Sequence, residues 1–198
     1  IDEYQEAGDS IGGSIAFEVR GVPRGLGAPR FDSFPSRLGQ AMFSIPATTH
    51  VEFGLGADAR TVTGSERNED WTFDEGDHPE TESEAGDPVP VGNDHGGLQG
   101  GITTGQPIWG EATWHAPTSI PKEQRTADWE TGEIVEDAQV IGRHDPVLPP
   151  RGVPVVEAML YLTVLDFMLL GGRINPDRID DRPGEYDTDY HPSNPRNE

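Results

Sequence analysis

The stretch from Gly142 to Leu170 limits what this chain can fold into more than any other. It opens with Gly142-Arg143-His144-Asp145-Pro146 and passes through Pro149-Pro150-Arg151-Gly152-Val153. From Val155 to Leu170 it is then nearly all apolar, with Glu157 and Asp166 as its only charges. Pro154 suits a first helical position, because its φ is preset and its missing N–H would be orphaned there anyway. A helix apolar on every side belongs inside a protein, so Pro154 to Leu170 is expected as a central buried helix. Gly171-Gly172 supplies a left-handed stop. A buried helix preceded by an Arg-His-Asp loop is a place to fix charged groups against a ligand, although the spacing does not name that ligand.

With 198 residues the chain is long enough for one domain with a real core. Its 36 acidic against 14 basic residues give a net charge of -22, and Lys122 is the only lysine. No basic face is available for phosphates, so nucleic acid is excluded as a partner. An acid excess that keeps arginine and nearly loses lysine points to a protein bathed in molar salt, where self-repulsion is screened. An acidic protein of ordinary salt is the plainer alternative. There is no cysteine, which removes disulfides, thiolate chemistry and cysteine-zinc sites. No signal peptide is visible, and the apolar run spans about 25 Å as a helix, short of a membrane crossing. The expectation is a cytoplasmic protein without a membrane partner. The chain opens on Ile1-Asp2-Glu3, which reads as the middle of something longer.

Before the opening feature, the chain alternates between strand and turn signals. Ile11 to Val22 reads as a strand, with Ile15, Phe17 and Val19 alternating against Ala16, Glu18 and Arg20. After the turn cluster Gly25 to Pro29, Asp32 or Ser33 can cap an amphipathic helix from Phe34 to Phe43. Pro46 ends it, and Val51 to Leu55 reads as a short strand. Residues 57–90 form an acidic insertion without the alternating acids and closing glutamate of a calcium loop, so a solvated loop is expected. Glycines crowd at Gly92, Gly96-Gly97, Gly100-Gly101 and Gly105. Such a run suits a flat ring or a phosphate held by backbone N–H groups, and tight sheet packing equally well. Ile108 to His115 and Glu133 to Ile141 read as further strands, with the stiff turn Ala116 to Pro121 between them. A tail at 179–198, rich in Asp, Pro and Asn, is expected to be irregular.

Little chemistry follows from single residues. His144 beside Asp145 invites a hydrolase triad, but Gly8-Asp9-Ser10-Ile11-Gly12, which matches Gly-x-Ser-x-Gly, leads into a strand and not from a strand into a helix as a nucleophile elbow does. Neighbours on an extended segment also point to opposite sides. The plainer reading of His144 is a structural imidazole bonded to backbone. The other histidines are scattered and form no metal pair at helical spacing, so no metal site is expected.

Four collinear stretches are more specific. They are Gly8-Asp9-Ser10-Ile11-Gly12-Gly13; Arg20-Gly21-Val22-Pro23-Arg24-Gly25-Leu26-Gly27; Gly96-Gly97-Leu98-Gln99-Gly100-Gly101-Ile102 with Gly105-Gln106-Pro107-Ile108; and Gly142 to Pro146 followed by Val153 to Met159. Together they resemble the C-terminal half of chorismate synthase in a haloarchaeal-like form, over residues 1 to about 172. The resemblance implies an α+β chain, here the C-terminal half (1–178) of a β-α-β sandwich in which antiparallel sheets pack on central helices. It implies conversion of 5-enolpyruvylshikimate 3-phosphate to chorismate and phosphate in the shikimate pathway, with reduced FMN as cofactor and an association with NADP. It also implies a homotetramer, and an N-terminal half carrying the remaining arginines and two catalytic histidines. This chain alone is then expected to be inactive. A non-catalytic acidic assembly module that kept the fold is the alternative.

Carried over by position, the resemblance places Pro46 and Ala47 of Ser44-Ile45-Pro46-Ala47 beside the flavin, together with Gly100 and Arg143. Ala116, Pro117, Thr118, Ser119 and Ile120 match a phosphate and ring contact, but Ala116 stands where many members carry lysine. Asp145 matches an aspartate that assists proton removal at the flavin edge. These roles are what the resemblance implies; the spacing alone does not derive them.

Overall fold

The computed structural model describes residues 1–76 and 85–175. In chain order it holds a short helix α1 (Asp2–Glu6), strand β1 (Gly13–Val19), helix α2 (Phe34–Phe43), β2 (Thr48–Phe53) and a short helix α3 (Gly64–Arg67). There follow β3 (Trp71–Phe73), β4 (Pro88–Pro90), β5 (Leu98–Gln99), β6 (Ile102–Thr103), β7 (Ile108–Trp114), β8 (Gln124–Ala127), β9 (Ile134–Ala138) and the long helix α4 (Pro149–Leu170). The architecture is α+β, with every strand pairing antiparallel.

The centre is a three-stranded sheet in the order β1-β7-β2. Side chains on a strand alternate between faces, and β7 uses this fully: Ile108, Gly110, Ala112 and Trp114 are buried on one face. Ile15, Phe17 and Val19 of β1 and Val51 and Phe53 of β2 join them in the core. The other face is polar, with Ser14 bonded to Thr113 across the strands and His50 to Glu52.

Helices α2 and α4 cover the apolar face. Ser33 caps α2 by accepting the Ser36 N–H, which answers the choice between Asp32 and Ser33. Phe34, Leu38 and Met42 then recur at helical spacing and are buried. Each such side chain contributes about 1.5–3 kcal/mol on burial. Phe34 stacks on Phe167 of α4, with ring centroids 4.8 Å apart.

Helix α4 differs from the expectation in two ways. It starts at Pro149, five residues early, because two prolines occupy its first two positions, where missing N–H groups cost nothing. Pro154 therefore sits inside the helix and leaves the Pro150 carbonyl without its usual donor. Nor is α4 buried all round. Pro149, Val156, Leu160, Thr163 and Phe167 form one buried stripe, while Val155, Leu162 and Leu165 on the other face are 40%, 59% and 44% exposed. Among the described residues only one layer, the sheet with α2, lies against it. At its full length α4 is also long and apolar enough to cross a membrane, unlike the shorter run read from the sequence. Gly172, at φ +68°, provides the left-handed stop.

Three two-stranded ribbons, β3–β4, β5–β6 and β8–β9, extend from this unit. The described part of the 57–90 insertion contains α3, β3 and β4, and is more structured than a plain loop. Residues 77–84 of that insertion and the 179–198 tail lie outside the described residues.

Candidate functional site

Most of the residues singled out by sequence gather at the end of the sheet where β7 finishes. There Trp114 pairs with Gly13 on one side and Thr48 on the other. Three segments meet beyond it: the Ile45-Pro46-Ala47 link from α2 to β2, the 115–120 loop leaving β7, and the 142–148 loop entering α4. The His115 N–H donates to the Ala47 carbonyl at 3.2 Å, joining the first two. The Ser119 Oγ lies 3.4 Å from His144 Nδ1, joining the second and third.

His144 is fixed at both nitrogens. Nε2 lies 2.9 Å from the Val140 carbonyl, which can only accept, so Nε2 carries the proton and Nδ1 accepts from the Ser119 hydroxyl. The imidazole is thus bonded to backbone, as the plainer reading expects. The Asp145 carboxylate bonds the Arg151 guanidinium, which belongs to the first turn of α4. That carboxylate is placed near a helix N-terminus, where negative charge is favoured. Arg143 is exposed and holds no ion pair among the described residues.

Glycine is required at the closest approaches. A Cβ at Gly12 would stand 2.7 Å from the Trp114 carbonyl oxygen and 3.2 Å from the Ala116 N. At Gly152 it would reach the Trp114 ring at 3.0 Å. Ala47 adopts φ +71°, a left-handed conformation that costs a residue with a Cβ and concentrates at functional sites. Beside it the Thr48 hydroxyl is buried and has no hydrogen-bond partner among the described residues.

Gly100 does not join this rim. It lies in the β5–β6 turn, whose Gly101 carbonyl accepts from Phe34 at the N-terminus of α2. Pro46 and Ala47 follow the C-terminus of the same helix, about 15 Å further on. The sequence also missed partners that only the fold brings together. Arg151, Ser10, whose hydroxyl donates to the Pro117 carbonyl at 2.5 Å, and Lys122, whose ammonium meets Asp9 at 2.5 Å, carried no local signal for these contacts. Among the described residues no group of three or more histidine or acidic side chains is placed to hold a metal.

The donor set tests what this rim can hold. Thr118 supplies an exposed hydroxyl and Arg143 an uncommitted guanidinium, while the Ser119 hydroxyl proton is engaged by His144, Arg151 by Asp145 and Lys122 by Asp9. That fits one phosphate-sized anion, of the kind a flavin mononucleotide carries, with the Pro46–Ala47 backbone beside it. It does not neutralise a second, multiply charged ligand.

The family model described as chorismate synthase matches residues 1–169. The chain belongs to the chorismate synthase family. It is 82% identical over 201 residues to the chorismate synthase of Halorubrum lacusprofundi, covering all of this chain and 50% of that protein. To the chorismate synthase of Halobacterium salinarum it is 75% identical over 198 residues, again covering all of this chain and 50% of the relative. The chorismate synthase of Methanosarcina barkeri is 43% identical over 89% of the chain and 45% of its own length. A crystal structure of chorismate synthase superposes with a TM-score of 0.64 at 28% identity, over 86% of this chain and 41% of that one. The chain therefore spans about half the length of the curated relatives it matches.

Proposed function

We propose that this chain is the flavin-side part of a chorismate synthase, the lyase that eliminates phosphate from 5-enolpyruvylshikimate 3-phosphate. In that 1,4-elimination the carbon–oxygen bond to phosphate breaks with its electron pair. A ring proton leaves from the far end of the allylic system; the electrons of its C–H bond form one double bond, and the existing ring double bond shifts to the carbon that loses phosphate. Reduced FMN, when bound, would supply transient electron donation to this process. The chain's own residues bind and orient: Arg143 and Thr118 would hold the cofactor's anionic group, Ser119 stands beside them bonded to His144, and Pro46 and Ala47 would line its edge. Asp145, held by Arg151, is placed to take up a proton. The observation carrying this reading is the meeting of the 45–47, 116–120 and 142–146 segments at one rim, in a chain whose family is chorismate synthase.

The same geometry limits the chain. Substrate and cofactor together carry roughly four to six negative charges near neutral pH, against one uncommitted arginine at the rim. The remaining cations come from the other half of the enzyme. That half also covers the exposed Val155, Leu162 and Leu165 face of α4 and completes the second sheet of the sandwich. The relatives' doubled length gives it the size for this. The completed enzyme is a soluble cytoplasmic homotetramer.

The binding part is tested by anaerobic titration of the 198-residue chain with reduced FMN in molar KCl, followed by flavin absorbance. Saturable binding that Arg143→Lys weakens is expected. Binding unaffected by Arg143→Lys, or none at all, contradicts this assignment of the rim.

A further inference from the structure

The segment Gly8 to Gly12 lies between the two loops of the rim and bonds both. Ser10 Oγ donates to the Pro117 carbonyl at 2.5 Å, a half-buried contact spanning 107 residues of sequence. The Ile11 N–H donates to the Pro146 carbonyl at 2.9 Å. Asp9, whose carboxyl is held below the usual carboxylate range first by the Lys122 ammonium and then by the Ser10 N–H, ties the far end of the 116–122 loop. Gly8 packs on Pro121, where a Cβ would stand 3.3 Å from the ring. One short segment thus sets the 116–122 loop, held at three points, against the 142–146 loop, held at one.

The Ser10 contact also has a direction. No peptide bond among the described residues is cis, and in a trans peptide the C=O and the following N–H point opposite ways. A hydroxyl that fixes the Pro117 carbonyl therefore turns the Thr118 N–H away from Ser10. That N–H makes no hydrogen bond among the described residues, and Thr118 itself is exposed.

We propose that Ser10 is a positioning residue of the rim: it holds the Pro117–Thr118 peptide so that the Thr118 N–H joins the Thr118 hydroxyl and Arg143 in facing an anionic group of the cofactor. This rests on the flavin-side reading above and adds to it a backbone donor and the side chain that aims it. A chain whose only lysine is committed to Asp9 and which carries Ala116 in the loop relies on such a neutral donor, because a backbone N–H needs no mobile side chain to be ordered.

The test uses the 15N-labelled 198-residue chain in molar KCl, with Ser10→Ala, Ser10→Thr and Ser119→Ala. Without ligand, Ser10→Ala is expected to shift the Thr118 amide signal and to move the His144 Nδ1 resonance toward its position in Ser119→Ala. Ser10→Thr keeps both near the parent. With reduced FMN, Ser10→Ala is expected to weaken binding about tenfold, the usual cost of one hydrogen bond to a charged group, and Ser10→Thr less than threefold. Unmoved Thr118 and His144 signals, or FMN affinity within twofold of the parent, overturn the proposal. If Ser10→Ala does not fold, Lys122→Met frees the other end of the same loop and must shift the same two signals; no shift overturns it as well. If the signals move but the parent binds no reduced FMN, the positioning role stands and the flavin reading has failed.

Discussion

The Arg151 guanidinium bonds the Asp145 carboxylate, so the first turn of α4 holds the acidic end of the Gly142–Pro146 loop. An aspartate held this way either takes part in proton transfer or merely pins the loop. Asp145→Asn separates the two, because asparagine keeps the shape but cannot accept a proton. In the completed enzyme turnover is expected to fall by about 10²–10⁴, the usual worth of a positioned acid or base. Reduced-FMN affinity should change less than tenfold. Turnover within about threefold of the parent makes Asp145 a loop anchor only.

Two glycines are expected to respond with opposite sign. Gly110 sits in the middle of β7, between Phe17 and Phe53, whose rings meet edge-on at 6.2 Å. A Cβ there would lie 2.2 Å from the Glu52 carbonyl and 2.8 Å from the Phe17 ring. Gly110→Ala should cost about 1–3 kcal/mol or more. Gly39 lies inside α2 with nothing within 4 Å of its Cβ position, so Gly39→Ala should stabilise by about 0.5–1 kcal/mol. Thermal unfolding at fixed KCl reads both, and a shift of the same sign in the two contradicts the packing described.

The carboxyl of Glu52 is held below its ordinary value of 4.5, first by the Ala57 N–H and then by the His50 side chain. A carboxyl with a lowered folded-state pKa contributes stability that is full above its unfolded value and is lost as pH falls through the folded one. The stability gap between the parent and Glu52→Gln should therefore be present at pH 7 and close as pH drops below about 4.5. Denaturant unfolding across that range, at constant salt, checks it. A gap that stays constant to pH 3 removes the ionised Glu52 from the account.

A net charge of -22 over 198 residues makes self-repulsion large when salt is removed, since the screening length grows from about 3 Å at 1 M to about 30 Å at 0.01 M. Circular dichroism during dialysis from molar KCl should show the helix signal collapse. A constant signal down to about 10 mM contradicts the need for salt.

Local physics made some elements legible and left others hidden. Helix α2 was legible from a cap at Asp32 or Ser33 and the amphipathic run from Phe34 to Phe43, because cap and stripe lie within one short segment. The start of α4 was misplaced because Pro149, Pro150 and Pro154 all fit a first turn locally. Its exposed face was hidden because composition reports how apolar a helix is and not how much of its partner is present. Strand β8, Gln124-Arg125-Thr126-Ala127, is exposed at every position and has no alternation to read. At the rim, the 142–146 loop stood out by its Arg-His-Asp cluster before a helix, and the 116–120 segment was found by resemblance. Their joining through Ser119 and His144, and through Ser10, spans 25 and 107 residues of sequence, which no local pattern encodes.

The most direct measurement is the formation of chorismate from 5-enolpyruvylshikimate 3-phosphate by this chain, alone and combined with the N-terminal half of a chorismate synthase. The account predicts no turnover by the chain alone. With the N-terminal half added it predicts turnover only when FMN is reduced and air excluded. Turnover by the 198 residues alone, or by the combined halves with oxidised FMN under air, contradicts it.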